Sequence, residues 1–111
     1  MTTYKEISTL PEWENVLKYS KEKPVLVFKH STTCPVSAAA YKEFTSIETD
    51  LDAYLVKVIE SRPVSNEIER NLGIQHQSPQ IFLLSNEKPV WNASHWNITE
   101  SKIGQAIHNQ E

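Results

Sequence analysis

A three-layer α/β sandwich around a mixed four-stranded sheet, with elements in the order α-β-α-β-α-β-β-α, is the fold the sequence predicts. Three observations carry that expectation. Val25-Leu26-Val27-Phe28 and Tyr54-Leu55-Val56-Lys57-Val58-Ile59 are short apolar runs of the kind a buried strand needs. Between them Val36, Ala40, Phe44, Ile47 and Leu51 recur every three or four positions, which is one face of a helix, so the two strands form a right-handed parallel βαβ unit. Downstream, Ser85-Asn86-Glu87-Lys88 is a turn of hairpin size between apolar runs, so the third and fourth strands run antiparallel.

The elements follow in order. Thr9-Leu10-Pro11-Glu12 has the Thr-x-x-Glu form of a capping box, and Leu10, Trp13, Val16 and Leu17 continue it as a first helix over 10–20. Lys21-Glu22-Lys23-Pro24 is a polar connection, and Pro24 can open the first strand without breaking a ladder. The helix after Cys34 extends to about residue 50. The second strand covers 54–59. Ser61-Arg62-Pro63 interrupts the pattern, and Val64, Ile68 and Leu72 then mark a short helix closed by Gly73 as a left-handed cap. The third strand covers 80–84 and the fourth 89–96. Thr99 caps a last helix, with Ile98 and Ile103 placed as a hydrophobic staple and Ala106 and Ile107 continuing its buried face.

Composition narrows the class. A chain of 111 residues, 39% apolar and 23% charged, suits one globular domain over 1–111. A formal charge of −3 provides no basic field for nucleic acid. No apolar run approaches membrane-spanning length, and the first residues lack a signal-peptide core. A single cysteine cannot form an internal disulfide, which fits a reducing cytoplasm; a monomer is expected. Four histidines and one cysteine show no zinc spacing, so no metal is expected.

That cysteine is the chemical focus. Cys34 follows the first strand through small polar residues and directly precedes Pro35, a residue suited to a first helical turn. It therefore lies at a helix N-terminus, where unpaired N–H groups and the helix dipole favour a thiolate. It also lies at the carboxyl end of a parallel strand, where ligands of such sheets gather. Pro79 opens the third strand at the same end, where a proline can sit in cis and leave the Ser78 backbone free to pair with an extended ligand. Pro79 is expected to be exposed there. Ser37, one turn beyond Cys34, either donates to the thiolate or faces solvent. Lys29 or His30 can add positive charge near the sulfur, but strand alternation sends them to opposite faces. His95 and Trp96 look like packing residues.

Ser78-Pro79-Gln80-Ile81-Phe82 resembles the cis-proline segment of glutaredoxins, and Cys34-Pro35-Val36-Ser37 is similar to a Cys-x-x-Cys site whose second cysteine is serine. Phe28-Lys29-His30-Ser31, Thr33 to Ser37, Arg62-Pro63-Val64-Ser65-Asn66, His76-x-Ser78-Pro79-Gln80 and Ser94-His95-Trp96 together resemble the monothiol bacilliredoxins. These have a thioredoxin-like fold and serve the bacillithiol system of Gram-positive bacteria. The resemblance spans nearly the whole chain.

It implies a thiol-disulfide oxidoreductase that removes bacillithiol, a cysteinyl-glucosaminyl-malate thiol, from protein mixed disulfides. Cys34 is the implied nucleophile and Ser37 its catalytic neighbour. Thr33, Pro35, Arg62, His76, Ser78 and Pro79 are the implied substrate-binding residues, with Arg62 and His76 as donors to the malate carboxylates. Bacillithiol is a co-substrate, and no cofactor is permanently bound. The implied partners are bacillithiolated proteins and a low-molecular-weight thiol or reductase that resolves the adduct. Two other functions compete. A monothiol glutaredoxin that carries an iron–sulfur cluster has Gly-Phe-Ser after its cysteine, where this chain has Pro-Val-Ser. A redox-inactive interaction module would keep the fold without a reactive thiol.

Overall fold

The computed structural model describes residues 2–110. Its elements are β1 (Lys5–Glu6), α1 (Leu10–Tyr19), β2 (Val25–His30), α2 (Pro35–Ser46), β3 (Asp52–Lys57), α3 (Arg62–Leu72), β4 (Gln80–Ser85), β5 (Lys88–Ser94), a 3-10 turn (His95–Asn97) and α4 (Glu100–His108). The strands form one mixed sheet in the order β1-β3-β2-β4-β5, with β1, β3 and β2 mutually parallel and β4 and β5 antiparallel to their neighbours. The sheet has five strands rather than the expected four. The extra strand is two exposed polar residues aligned with Tyr54 and Leu55, so it carries no apolar alternation by which a sequence reveals a strand.

Strand alternation divides the core into two layers. Leu26, Phe28, Leu55, Ile81 and Leu83 pack under Ala40 and Phe44 of α2 and Ile103 and Ala106 of α4. Val25, Val27, Val56, Phe82 and Leu84 pack on the other face, against Trp13 and Val16 of α1 and Val64 and Ile68 of α3. Trp13 also ties α1 to α3, its indole N–H donating to Asn71 Oδ1 at 2.8 Å.

Most helix ends obey their local chemistry. Thr9 and Glu12 form the reciprocal capping box, and Gly73 closes α3 at φ 68° with its N–H on Glu69 O. Two ends depart from the sequence expectation. Helix α2 stops at Ser46, because Ile47 takes an extended conformation and buries itself in the core. Thr2 takes over carbonyls there, its N–H donating to Thr45 O at 3.0 Å and its hydroxyl to Ile47 O at 2.6 Å. Helix α3 starts at Arg62, with Pro63 tolerated in its first turn. Strand β3 lies two residues earlier than expected, because its partner β2 ends at His30 and the last ladder bond is Val58 N–H to His30 O.

The hairpin between β4 and β5 turns at Asn86 and Glu87, both with positive φ (58° and 64°), as a type I′ turn requires. Neither is glycine, and the turn is held from outside. Ser20, buried at the end of α1, accepts the Asn86 N–H on its carbonyl at 2.8 Å and the Glu87 N–H on its hydroxyl at 2.9 Å. Lys21 adds an ion pair to Glu87 at 2.8 Å.

Candidate active site

Strand β2 delivers the site. After His30 the chain makes a short loop, Ser31 to Thr33, in which the Cys34 N–H reaches Ser31 O at 3.4 Å. Cys34 is then the N-cap of α2, extended at φ −105° and ψ 123°, with Pro35 as the first helical residue. The Cys34 carbonyl accepts the Ala38 N–H at 3.0 Å, and the side chain makes no cap hydrogen bond. An N-cap position ordinarily carries a side-chain oxygen that accepts a first-turn N–H. Here a half-buried sulfur holds that place. Thr33 and Pro35 on either side are exposed.

Ser37 is neither solvent-facing nor directed at the sulfur. It is fully buried, and its Oγ accepts the Ser31 N–H at 2.9 Å and lies 2.7 Å from His30 Nδ1. The hydroxyl therefore ties the first turn of α2 back to the end of β2. The His30 ring stacks between Phe28 and Tyr41, at centroid distances of 5.6 and 5.1 Å. Burial, and then the charge of Lys57, hold its pKa below the usual histidine value against the opposing Glu60 carboxylate. His30 is thus neutral near pH 7 and adds no positive charge at the site.

Lys29 points to the other face, as alternation requires. It is completely buried, with Nζ donating to Ser65 O of α3 at 3.2 Å. Burial pushes its pKa down to about 8, partly countered by Glu69.

Strand β4 brings the second half. Its antiparallel register sets Gln80 opposite Lys29, so the preceding Ser78 and Pro79 arrive at the end of β2 from which the Cys34 loop departs. The Ser78–Pro79 peptide bond is cis. Pro79 is buried, contrary to the exposed strand-end proline expected, and its carbonyl accepts the His95 N–H at 3.1 Å. Ser78 Oγ is buried and has no hydrogen-bond partner among the described residues. Arg62 begins α3 at this same end, exposed and without an ion pair among the described residues. His76 stands by α3, its N–H on Glu69 Oε2 at 2.6 Å and its Nδ1 3.5 Å from Ser65 Oγ. Desolvation, followed by the charges of Lys29 and Arg62, lowers the His76 pKa against the pull of Glu69.

His95 and Trp96 are not packing residues. Trp96 is 71% exposed, and His95 has a left-handed φ of 52°. With Ala39, Lys42, Glu43 and Thr99 they line a cleft of about 330 Å³ between α2 and the 3-10 turn. Their place straight after β5, beside Pro79, was the only signal available, since a tryptophan in sequence does not show which way it faces. No cluster of three or more metal-ligating side chains occurs among the described residues.

A family model described as monothiol bacilliredoxin BrxC matches residues 5–103. Among solved structures, a candidate oxidoreductase with a thioredoxin fold is 37% identical, with a TM-score of 0.85 over 94% of this chain and 93% of that one. Thioredoxins from Malassezia sympodialis (21% identity, TM-score 0.76, 98% of this chain and 91% of that one) and Trypanosoma brucei brucei (9%, 0.78, 97% and 90%) share the fold.

Proposed function

The chain belongs to the monothiol bacilliredoxin family, and from that premise we propose that it removes bacillithiol from protein mixed disulfides. The family and the thioredoxin fold support a thiol redox role. The observation that carries the finer reading is the sulfur of Cys34 at the N-cap of α2, unclaimed by any side-chain cap bond.

In the proposed reaction the Cys34 thiolate attacks the bacillithiol sulfur of the mixed disulfide. A new S–S bond forms to Cys34 as the old one breaks, and the substrate protein leaves as a thiolate that takes a proton from water. With no second cysteine in the chain, the adduct waits for an external thiol or reductase. That thiol attacks the bacillithiol sulfur, the S–S bond to Cys34 breaks to return the Cys34 thiolate, and the bacillithiol leaves in a new disulfide with the external thiol. Arg62, exposed and without an ion pair among the described residues, is the cationic donor for the malate carboxylates, while neutral His76 offers a hydrogen bond rather than a charge. Ser78 supplies the backbone edge for the cysteinyl part. Ser37 acts through His30 and Ser31, by fixing the first turn of α2. The protein acts as a cytoplasmic monomer in this scheme.

Incubation with a bacillithiolated protein, followed by intact mass, tests it. One bacillithiol should transfer to Cys34 and persist until free thiol is added, and Cys34→Ser should leave the substrate capped. Multiple turnover without added thiol would exclude the monothiol route. No uptake under any oxidising condition would favour a redox-inactive binding module.

A further inference from the structure

The loop that carries Ser78 and Pro79 is fastened by one side chain that the proposed chemistry does not use. Gln80 opens β4, is 1% exposed, and shares the α1/α3 face with Lys29, its partner in register. Its Oε1 accepts the Gln77 N–H at 3.2 Å and its Nε2 donates to the Gln75 carbonyl at 3.1 Å. Both ends of one carboxamide thus close on the backbone immediately upstream. Glu69 holds the residue between those two contacts, through the His76 N–H. On the far side, the Pro79 carbonyl is bonded to His95. Within this bracket the buried Ser78 hydroxyl has no hydrogen-bond partner among the described residues.

We propose that Gln80 is a positioning residue for disulfide exchange, its carboxamide setting the loop so that the Ser78 edge meets the disulfide arriving at Cys34. The inference rests on the reading that this edge receives the substrate. A buried carboxamide matched at both its donor and its acceptor fixes position and orientation together, because each end is costly to leave unpaired. A misplaced binding edge lowers the rate of a bimolecular exchange without altering the sulfur itself.

The test compares wild type, Gln80→Met and Gln80→Glu in two reactions. One is alkylation of Cys34 by iodoacetamide, which needs no binding edge. The other is exchange with a bacillithiol mixed disulfide of a small protein. Gln80→Met should slow exchange on the order of tenfold and leave alkylation unchanged. Gln80→Glu should show a similar deficit while ionised, since a carboxylate repels the Gln75 carbonyl. Its exchange rate relative to wild type should recover as pH falls, because the protonated acid again donates to Gln75 and accepts from Gln77.

Wild-type exchange by Gln80→Met would overturn the proposal, as would an equal loss in both reactions or a Gln80→Glu deficit that ignores pH. Should Gln80→Met fail to fold, the Gln80→Glu titration decides. If wild type itself does not exchange with the bacillithiol disulfide, the proposed substrate fails, and the same comparison with a cystinyl peptide disulfide judges Gln80 separately.

Discussion

The Ser37 hydroxyl and the His30 imidazole face each other at 2.7 Å, joining the first turn of α2 to the last residue of β2. The same hydroxyl satisfies the buried Ser31 amide at 2.9 Å. The serine at the second-cysteine place of the Cys-x-x-Ser site is therefore a structural tie, one that aims the helix on which Cys34 sits.

Ser37→Ala should accordingly destabilise the protein by about 1–3 kcal/mol, the usual range when a buried donor loses its partner. Urea unfolding measures it, with Cys34 alkylation followed in parallel. Slower alkylation at unchanged stability would mean that the hydroxyl serves the sulfur after all.

Lys29→Met should stabilise the protein at neutral pH. Lowering an amine from 10.5 to about 8 corresponds to roughly 3 kcal/mol against the charged form while both folded and unfolded chains carry the proton. Between pH 8 and 10.5 the unfolded wild type binds more protons than the folded one, so wild-type stability rises with pH there. The advantage of methionine should shrink over that window and be gone above it. Denaturant midpoints across the alkaline range check this, and a constant difference between the two proteins would contradict it.

Acid should weaken the fold before the carboxylates titrate. His30 and His76 both have lowered folded pKa values, so below the ordinary histidine value of about 6.5 the unfolded chain takes up protons that the folded chain refuses. Stability is complete above that value and declines as pH falls through it. His30→Phe keeps a ring between Phe28 and Tyr41 and should reduce the slope, whatever its absolute stability. Unfolding midpoints on either side of the histidine value supply the comparison.

Ser20→Ala should loosen a hairpin that lies far from it in sequence. It removes the acceptor of the Glu87 amide inside a turn of two non-glycine residues at positive φ. A loss of about 1–3 kcal/mol is expected, with faster hydrogen exchange at the turn amides. A neutral substitution would show that the turn stands without that support.

The βαβ unit, the hairpin and the cysteine at a helix start were all legible, because each depends on local periodicity or turn chemistry. Strand β1 was not, since Lys5 and Glu6 are both polar and exposed. The end of α2 was missed for the opposite reason. Ile47 and Leu51 keep helical spacing, yet Ile47 reaches the core from an extended backbone. At the site, Cys34, Ser78 and Pro79 could be assigned to one end of the sheet from the order of elements. The engagement of Ser37 by His30 and the exposure of Trp96 could not, because both depend on side-chain direction in three dimensions.

Lys29 and His30 are consecutive, and each is committed to a different layer, Lys29 to Ser65 of α3 and His30 to Ser37 of α2. A shift of β2 by one residue would exchange the two faces, forcing the ammonium against Phe44 of α2 and the imidazole beneath α3. The pair therefore acts as a registration mark for the central strand. A one-residue slip of β2 in its register moves both side chains to the wrong layer at once. The distance from sheet to sulfur is set by that mark.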